Sequence, residues 1–381
     1  MLFATRSDRL ARLAGLVPML LSFVAAADVD VPAAGPAEVA AIVQRLGLEE
    51  SAVPARERPG WHTPQKLLVW NVDPALAPML RSAAPGVELL LAKDMAEALR
   101  LAPEADAALG FCSAELLAAG PRIRWIQAYS AGVERCVAIP ALRERDVLLT
   151  NMQRVAGPVM AEHVMAMMLA WARGLYFYIP ERMAGRWTHE LPQPGRMLTL
   201  EGKTVLVVGL GGIGLEVARR AHALGMRVIA TRASGRAGPD FVSYVGAPAE
   251  LAALAAQADF VVNTTPLTPA TTGMFDAKFF SAAKRGAFFV NVGRGGSVVQ
   301  ADLIAALRSG QVGGAGLDVT DPEPLPADSP LWQMQNVILT PHVSAQSDLG
   351  DETRFAIAAE NLRRYVAGER MLSVVDVAKG Y

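Results

Sequence analysis

The 381-residue sequence predicts an α/β protein with two doubly wound parallel sheets, formed one after the other along the chain. Three observations lead there. Short, continuous apolar runs alternate with helical stretches in two successive series. A glycine-rich turn opens the second series. Polar clusters close its later runs, and ligands of open α/β sheets sit at the carboxyl ends of strands. Hydrophobic residues make up 52% of the chain and charged residues 19%, so two cores can be buried and wholesale disorder is excluded. The formal net charge of -1 gives no global attraction to nucleic acid or to an anionic membrane.

Taken in order, the chain opens with Arg6, Arg9 and Arg12, then an uncharged apolar run from Leu13 to Ala27. A basic start, a short apolar middle and small residues before Asp28 are the layout of a secretory signal peptide, so residues 1–27 are expected to direct export. Asp8 and Pro18 count against it. The alternatives are an uncleaved anchor or amphipathic extension, or a start without targeting meaning, which would leave the protein cytoplasmic. The run is short for a membrane span, and no other stretch is long and apolar enough to be one. Residues 28–65 read as an extension and linker. Within them Val39, Ile42, Val43 and Leu46 share one helical face, and Gly47 can end that helix.

The first series supplies candidate strands at Leu67–Trp70, Val87–Leu91, Ala107–Phe111, Ile123–Ala128 and Val147–Leu149. Runs apolar throughout suit parallel strands buried on both faces. A helix is expected from Pro158 to Tyr176. Its Met160, Val164, Met165, Met167, Met168, Leu169 and Trp171 leave it apolar nearly all round, so it must pack within its own domain or against a second subunit. Cys112 and Cys136 make no disulfide framework. Two buried thiols are expected, with a single bridge as the alternative, and neither has a partner at metal-ligand spacing.

The second series offers strands at Thr204–Gly209, Arg227–Thr231, Phe260–Asn263, Ala287–Val292, Gly316–Val319 and Val337–Leu339, with a closing helix from about Leu349 to Tyr365. Its first strand runs into Gly209-Leu-Gly211-Gly212-Ile213-Gly214. Gly209 permits the tight turn, Gly211 removes a side chain that would block a pyrophosphate, and Gly214 lets the next helix pack close. That helix offers free amides and the positive end of its dipole to phosphates. An acid closing the second strand would bind the ribose 2′-hydroxyl of NAD, but Arg232 stands there. A guanidinium pairs with a 2′-phosphate, and Ser234 and Arg236 can add a donor and a second charge. NADP(H) is therefore the expected cofactor, with NAD(H) the alternative.

Three polar motifs follow: Asn291-Val-Gly-Arg294-Gly-Gly296, Asp318-Val-Thr-Asp-Pro-Glu323-Pro and Thr340-Pro-His342. With the glycine turn and the segment Asn263-Thr-Thr265-Pro266-Leu-Thr268, they resemble the D-isomer-specific 2-hydroxyacid dehydrogenase family from about Lys66 to Asp376. The resemblance implies that Arg294, Glu323 and His342 are catalytic. It also implies that Ala131, Gly132 and Arg294 bind substrate, and that Thr265, Pro266, Val292 and Asp318 line the cofactor. A structural turn is the alternative role for Asp318. Ser130 and Glu134 stand where many relatives carry glycine and aspartate. The fold it implies is a flavodoxin-like substrate domain, residues 66–151 plus 343–381, and a Rossmann domain, residues 152–342.

The chemistry needs these residue types. Hydride transfer to a ketone puts negative charge on oxygen, so a proton donor must be adjacent. His342 can be that donor, and a carboxylate beside it, Glu323, favours the imidazolium and fixes the ring. Arg294 can hold the substrate carboxylate and polarise the ketone. His163, on the apolar helix, reads as a satisfied core residue, and His62, His189 and His222 have no metal-like partner. Reduction of a small 2-oxo acid to its D-2-hydroxy acid is expected, with glyoxylate and hydroxypyruvate as substrates and a homodimer as the assembly. The rivals are an NAD-linked dehydrogenase for a bulkier acid and a non-catalytic, cofactor-sensing binding protein.

Overall fold

The two series of apolar runs form two all-parallel sheets. The computed structural model describes residues 35–70, 76–189, 197–348 and 350–380, which belong to one compact unit. The expected leader, residues 1–27, and the start of the extension lie outside the described residues.

The first sheet contains β1 (Lys66–Trp70), β2 (Glu88–Ala92), β3 (Ala107–Gly110), β4 (Trp125–Ala128) and β5 (Leu148–Thr150), in the order β2-β1-β3-β4-β5. Its two faces are filled separately because side chains alternate along a strand. Leu67 and Val69 face one cluster with Leu76, Leu80, Ile357 and Leu362. Leu68 faces the other with Leu116, Ile126 and Leu149. The closing helix, Gly350–Ala367, thus packs back on the first sheet, where Tyr365 stacks on Trp125 at 4.8 Å. The expected helix in the extension is Pro36–Leu46, and Gly47 ends it in the left-handed conformation at φ 59°.

The second sheet contains β6 (Thr204–Val208), β7 (Arg227–Thr231), β8 (Val242–Gly246), β9 (Phe260–Asn263), β10 (Ala287–Asn291), β11 (Val312–Leu317) and β12 (Val337–Leu339), in the order β12-β11-β10-β9-β6-β7-β8. The order reverses beside β6, which puts the crevice for a ligand at the end of that strand. Among the described residues it has seven strands where six were expected. The additional one, β8, is an edge strand whose Ser243 and Tyr244 are exposed, so it lacks the unbroken apolar run of its neighbours. β11 also starts earlier than expected, because Gly313 and Gly314 interrupt its apolar run. Gly314 and Gly316 are there for close packing: a Cβ on Gly314 would lie 2.5 Å from the Trp171 ring, and one on Gly316 would lie 2.7 Å from Met167 Sδ.

Those contacts come from the apolar helix, which is two helices, Gly157–Ala172 and Leu175–Met183, broken where Gly174 adopts φ 69°. Met160, Val164, Met167 and Met168 join Val205, Val207 and Val290 in one core, so most of the first helix packs within its own unit.

The two cysteines are a correction to expectation. Cys112 and Cys136 form a disulfide with Cα atoms 5.5 Å apart. Pairing β3 with β4 brings together the segments that follow them, which a separation of 24 residues in sequence does not reveal.

Candidate active site

The glycine turn has the shape its sequence requires. Gly209 adopts φ 94°, and the amides of Gly209 and Leu210 donate to Thr231 O at 3.1 and 3.0 Å. A Cβ on Gly214 would meet Gly209 O at 2.1 Å, so only glycine lets the helix Gly212–Ala223 start against the strand. A Cβ on Gly211 would meet nothing within 4 Å. That open side fits a pyrophosphate at the helix N-terminus, beside Ile213. Thr264 Oγ1 donates to Gly209 O at 2.7 Å, tying the turn to the segment after β9.

Arg232 follows β7. Its Nε donates to Ser234 Oγ at 2.9 Å and its Nη1 to Ala237 O at 3.0 Å. Arg236 turns elsewhere, donating to Tyr244 at 2.8 Å and Glu250 at 2.6 Å. Hydrogen bonds from the Tyr244 hydroxyl and the Ala247 amide, with the Arg236 charge, lower the half-buried Glu250 carboxyl to about 2. Arg236 is therefore locally compensated, while Arg232 and Ser234 stay together at the strand end.

The three catalytic candidates project from three adjacent strands. Asn291 at the end of β10 pairs with Leu317 of β11, and Leu317 with Leu339 of β12. Arg294, Glu323 and His342 follow these strand ends at one edge of the second sheet. His342 has φ 55°, a backbone conformation that favours glycine, and it presents Nδ1 to Glu323 Oε2 at 2.8 Å. The other oxygen of Glu323 accepts from the Thr320 amide at 3.0 Å, fixing the carboxylate. A Cβ on Gly295 would lie 1.9 Å from Thr320 O, so the chain after Arg294 packs directly on that same turn.

Arg294 reaches the first sheet. A Cβ on Gly132 would lie 1.5 Å from Arg294 Nη2, which places the guanidinium against the Ala131–Gly132 loop after β4. The loop is held by Asn151 Nδ2 to Ala131 O at 2.7 Å and by Ser130 Oγ to Gly132 O at 2.7 Å. Arg294 also meets Glu134, Nε to Oε1, at 3.0 Å.

Three supports hold this arrangement, and the first of them was given no role in the sequence reading. Asn263 Nδ2 donates to Asn291 Oδ1 at 2.9 Å and Ser297 Oγ at 2.8 Å, while Asn291 Nδ2 and Ser297 Oγ both donate to Arg294 O. This buried network fixes the backbone that carries Arg294. Its signal was two asparagines closing apolar strands. Asp318, 2% exposed, accepts from Thr340 Oγ1 at 2.6 Å and from the amides of Val343 and Ser344 at 2.9 and 3.0 Å. Burial alone would raise its carboxyl, but the bonds from Ser344, Thr340 and Val343 outweigh it and hold it below the ordinary range. The observed bonds of Asp318 are thus those of a turn, and they secure the backbone around His342. His163 Nε2 meets Thr340 Oγ1 at 3.0 Å, so this half-buried histidine reaches the same network. Thr265 and Val292 are buried at the ends of β9 and β10. No cluster of three or more His, Cys, Asp or Glu among the described residues could hold a metal ion.

Fold and site define the class: a two-sheet α/β protein with a dinucleotide turn and an Arg, Glu and His gathered at neighbouring strand ends. Residues 165–344 match the profile described as D-isomer specific 2-hydroxyacid dehydrogenase, NAD binding domain. The glyoxylate reductase/hydroxypyruvate reductase of Homo sapiens is 35% identical over 260 residues, covering 67% of this chain and 78% of that protein. Glyoxylate/hydroxypyruvate reductase B of Citrobacter koseri is 36% identical over 245 residues, 64% of this chain and 74% of its own. Among solved structures, an NADPH-dependent glyoxylate/hydroxypyruvate reductase from Sinorhizobium meliloti, in complex with NADP and sulfate, superposes with TM-score 0.71. It is 32% identical, over 83% of this chain and 100% of that one. A probable 2-hydroxyacid dehydrogenase from Rhizobium etli, in complex with NADP, gives TM-score 0.71 at 29% identity, over 84% of this chain and all of its own. The chain belongs to the D-isomer specific 2-hydroxyacid dehydrogenase family.

Proposed function

We propose that the protein is an NADP(H)-linked reductase of small 2-oxo acids, with glyoxylate and hydroxypyruvate as its substrates. What supports this reading is a guanidinium against the Ala131–Gly132 loop and a histidine–glutamate pair, each following one of three adjacent strand ends. The relatives reported above bear reductase names for the same two acids.

The cofactor would be held by the turn Gly209–Gly214, by Arg232 and Ser234 at its 2′-phosphate, and by Thr265, Pro266 and Val292 along the strand ends. When bound, it supplies hydride to the substrate C2. The rest belongs to this chain. Arg294 and the amides of Ala131 and Gly132 hold the substrate carboxylate, and Arg294 polarises the ketone. Glu323 holds Nδ1 of His342, so Nε2 faces the substrate and gives its proton to the ketone oxygen as the hydroxyl forms. In the reverse direction Nε2 takes that proton back. Residues 66–151 with 343–381 form the substrate domain and 152–342 the cofactor domain. The chain crosses between them twice, which suits hinge closure and exclusion of water.

Arg232 in place of an acid favours this reading over an NAD-linked one. Mixing the protein with a panel of 2-oxo acids and either NADPH or NADH tests it. Glyoxylate or hydroxypyruvate with NADPH should give the fastest loss of reduced cofactor absorbance, and His342→Ala should abolish that loss while NADPH still binds. Absence of turnover with every acid would leave a cofactor-sensing binding protein instead. A homodimer is part of the proposal. Leu175, Ile179, Met183 and Trp187, all exposed, form a candidate contact surface. A monomeric mass by light scattering would refute it.

A further inference from the structure

We propose that Glu134 is a specificity-determining residue: its carboxylate occupies the seat on Arg294 that the substrate carboxylate must take. The inference rests on the reading of Arg294 as the carboxylate-binding residue. The contact is side-on and two-point, Nε to Oε1 at 3.0 Å and Nη2 to Oε2 at 3.5 Å. That is the geometry in which a guanidinium binds a free carboxylate. Nη1 meanwhile donates to Gly293 O at 2.8 Å, so all three guanidinium nitrogens are engaged.

The contact is built. Glu134 opens the short helix Glu134–Val137 after β4, whereas Arg294 follows β10, so the pair bridges the two sheets. Two residues beyond Glu134, Cys136 is anchored to the end of β3 by the disulfide. Two residues before it, Gly132 leaves room for both partners, since a Cβ there would lie 2.9 Å from Glu134 Oε2 as well as 1.5 Å from Arg294 Nη2. The Glu134 and Arg294 side chains are only 25% and 31% exposed, so their charges are poorly screened by water.

Two consequences follow. A 2-oxo acid binds by exchanging its carboxylate for that of Glu134, and the strength of the internal pair is subtracted from substrate affinity. The displaced Glu134 then stays beside the substrate as a fixed negative charge. A 2-oxo acid with a second carboxylate meets repulsion there, while a neutral or hydroxyl-bearing one does not. Glu134 thereby selects monocarboxylic substrates.

The test compares wild type with Glu134→Gln, which keeps the shape and removes the charge. Oxamate, an unreactive monocarboxylate intermediate in size between glyoxylate and hydroxypyruvate, is titrated calorimetrically into the NADPH-bound protein. Its Kd should fall about two- to five-fold in the variant, the range for a partly exposed ion pair. The KM for glyoxylate should fall by the same factor, that for NADPH should stay fixed, and the rate with oxaloacetate relative to glyoxylate should rise. Glu134→Asp, which keeps the charge, should retain the discrimination against oxaloacetate. Weaker or unchanged oxamate binding in Glu134→Gln, or an unchanged oxaloacetate-to-glyoxylate ratio, would overturn the proposal. The oxamate titration does not depend on turnover. Tighter binding in a protein that reduces no acid would reject the reductase reading and keep the role of Glu134.

Discussion

Replacing Gly132 with alanine separates function from stability at a single carbon. The added Cβ would sit 1.5 Å from Arg294 Nη2 and 2.8 Å from its Cζ. Ordinary contact needs about 3.5 Å, so the guanidinium must retreat by about 2 Å. The atom in the way is the far end of a flexible side chain, so the retreat costs the fold little. It costs the chemistry much more, because a displacement of about 1 Å at a reacting centre already loses on the order of a hundredfold in rate. Gly132→Ala should lower kcat/KM for the 2-oxo acid by about a hundredfold or more, or about 2.7 kcal/mol of transition-state stabilisation. NADPH affinity by fluorescence titration and the urea midpoint should stay near the wild-type values. A kcat/KM within threefold of wild type would refute the placement of Arg294 at the substrate. A large fall in the urea midpoint would refute the claim that the site can yield without the fold.

Three further outcomes are expected. Arg232→Asp should reverse cofactor preference, because it removes a partner for a 2′-phosphate and supplies an acceptor for a 2′-hydroxyl. The ratio of NADPH to NADH efficiency should fall by about ten- to a hundredfold, as for one hydrogen bond to a charged group, and an unmoved ratio would remove the role of Arg232. Reducing the Cys112–Cys136 bridge, which spans 24 residues, should lower unfolding free energy by about 3.5 kcal/mol on chain-entropy grounds; equal urea midpoints with and without reductant would contradict this. The third concerns acid. Asp318 has its carboxyl held below the ordinary value in the folded state, so its stabilising contribution is present above the unfolded value of about 3.9 and is lost as the pH falls through the lower folded value. The stability gap between wild type and Asp318→Asn should therefore hold above about pH 5 and shrink as the pH falls below about 3.9, and a constant gap through that acid range would count against the bonds assigned to Asp318.

The sequence by itself determined the two-sheet fold and nearly all of its strands, because parallel strands buried on both faces must be apolar throughout. It also determined the glycine turn, whose three positions are constrained by a positive φ, an open approach and a 2.1 Å backbone contact that no side chain can satisfy. The edge strand β8 was illegible because an edge strand needs no continuous apolar run. β11 was begun too late because Gly313 and Gly314 interrupt its apolar run, and Gly314 is there to admit Trp171. The family resemblance of three motifs suggested Arg294, Glu323 and His342, and the registers of β10, β11 and β12 decided that the strands carrying them lie side by side. Only the tertiary structure joined Cys112 to Cys136 and set Glu134 on Arg294. The first pair depends on strand order within one sheet and the second on how the two sheets face each other, and no periodicity along one chain encodes either.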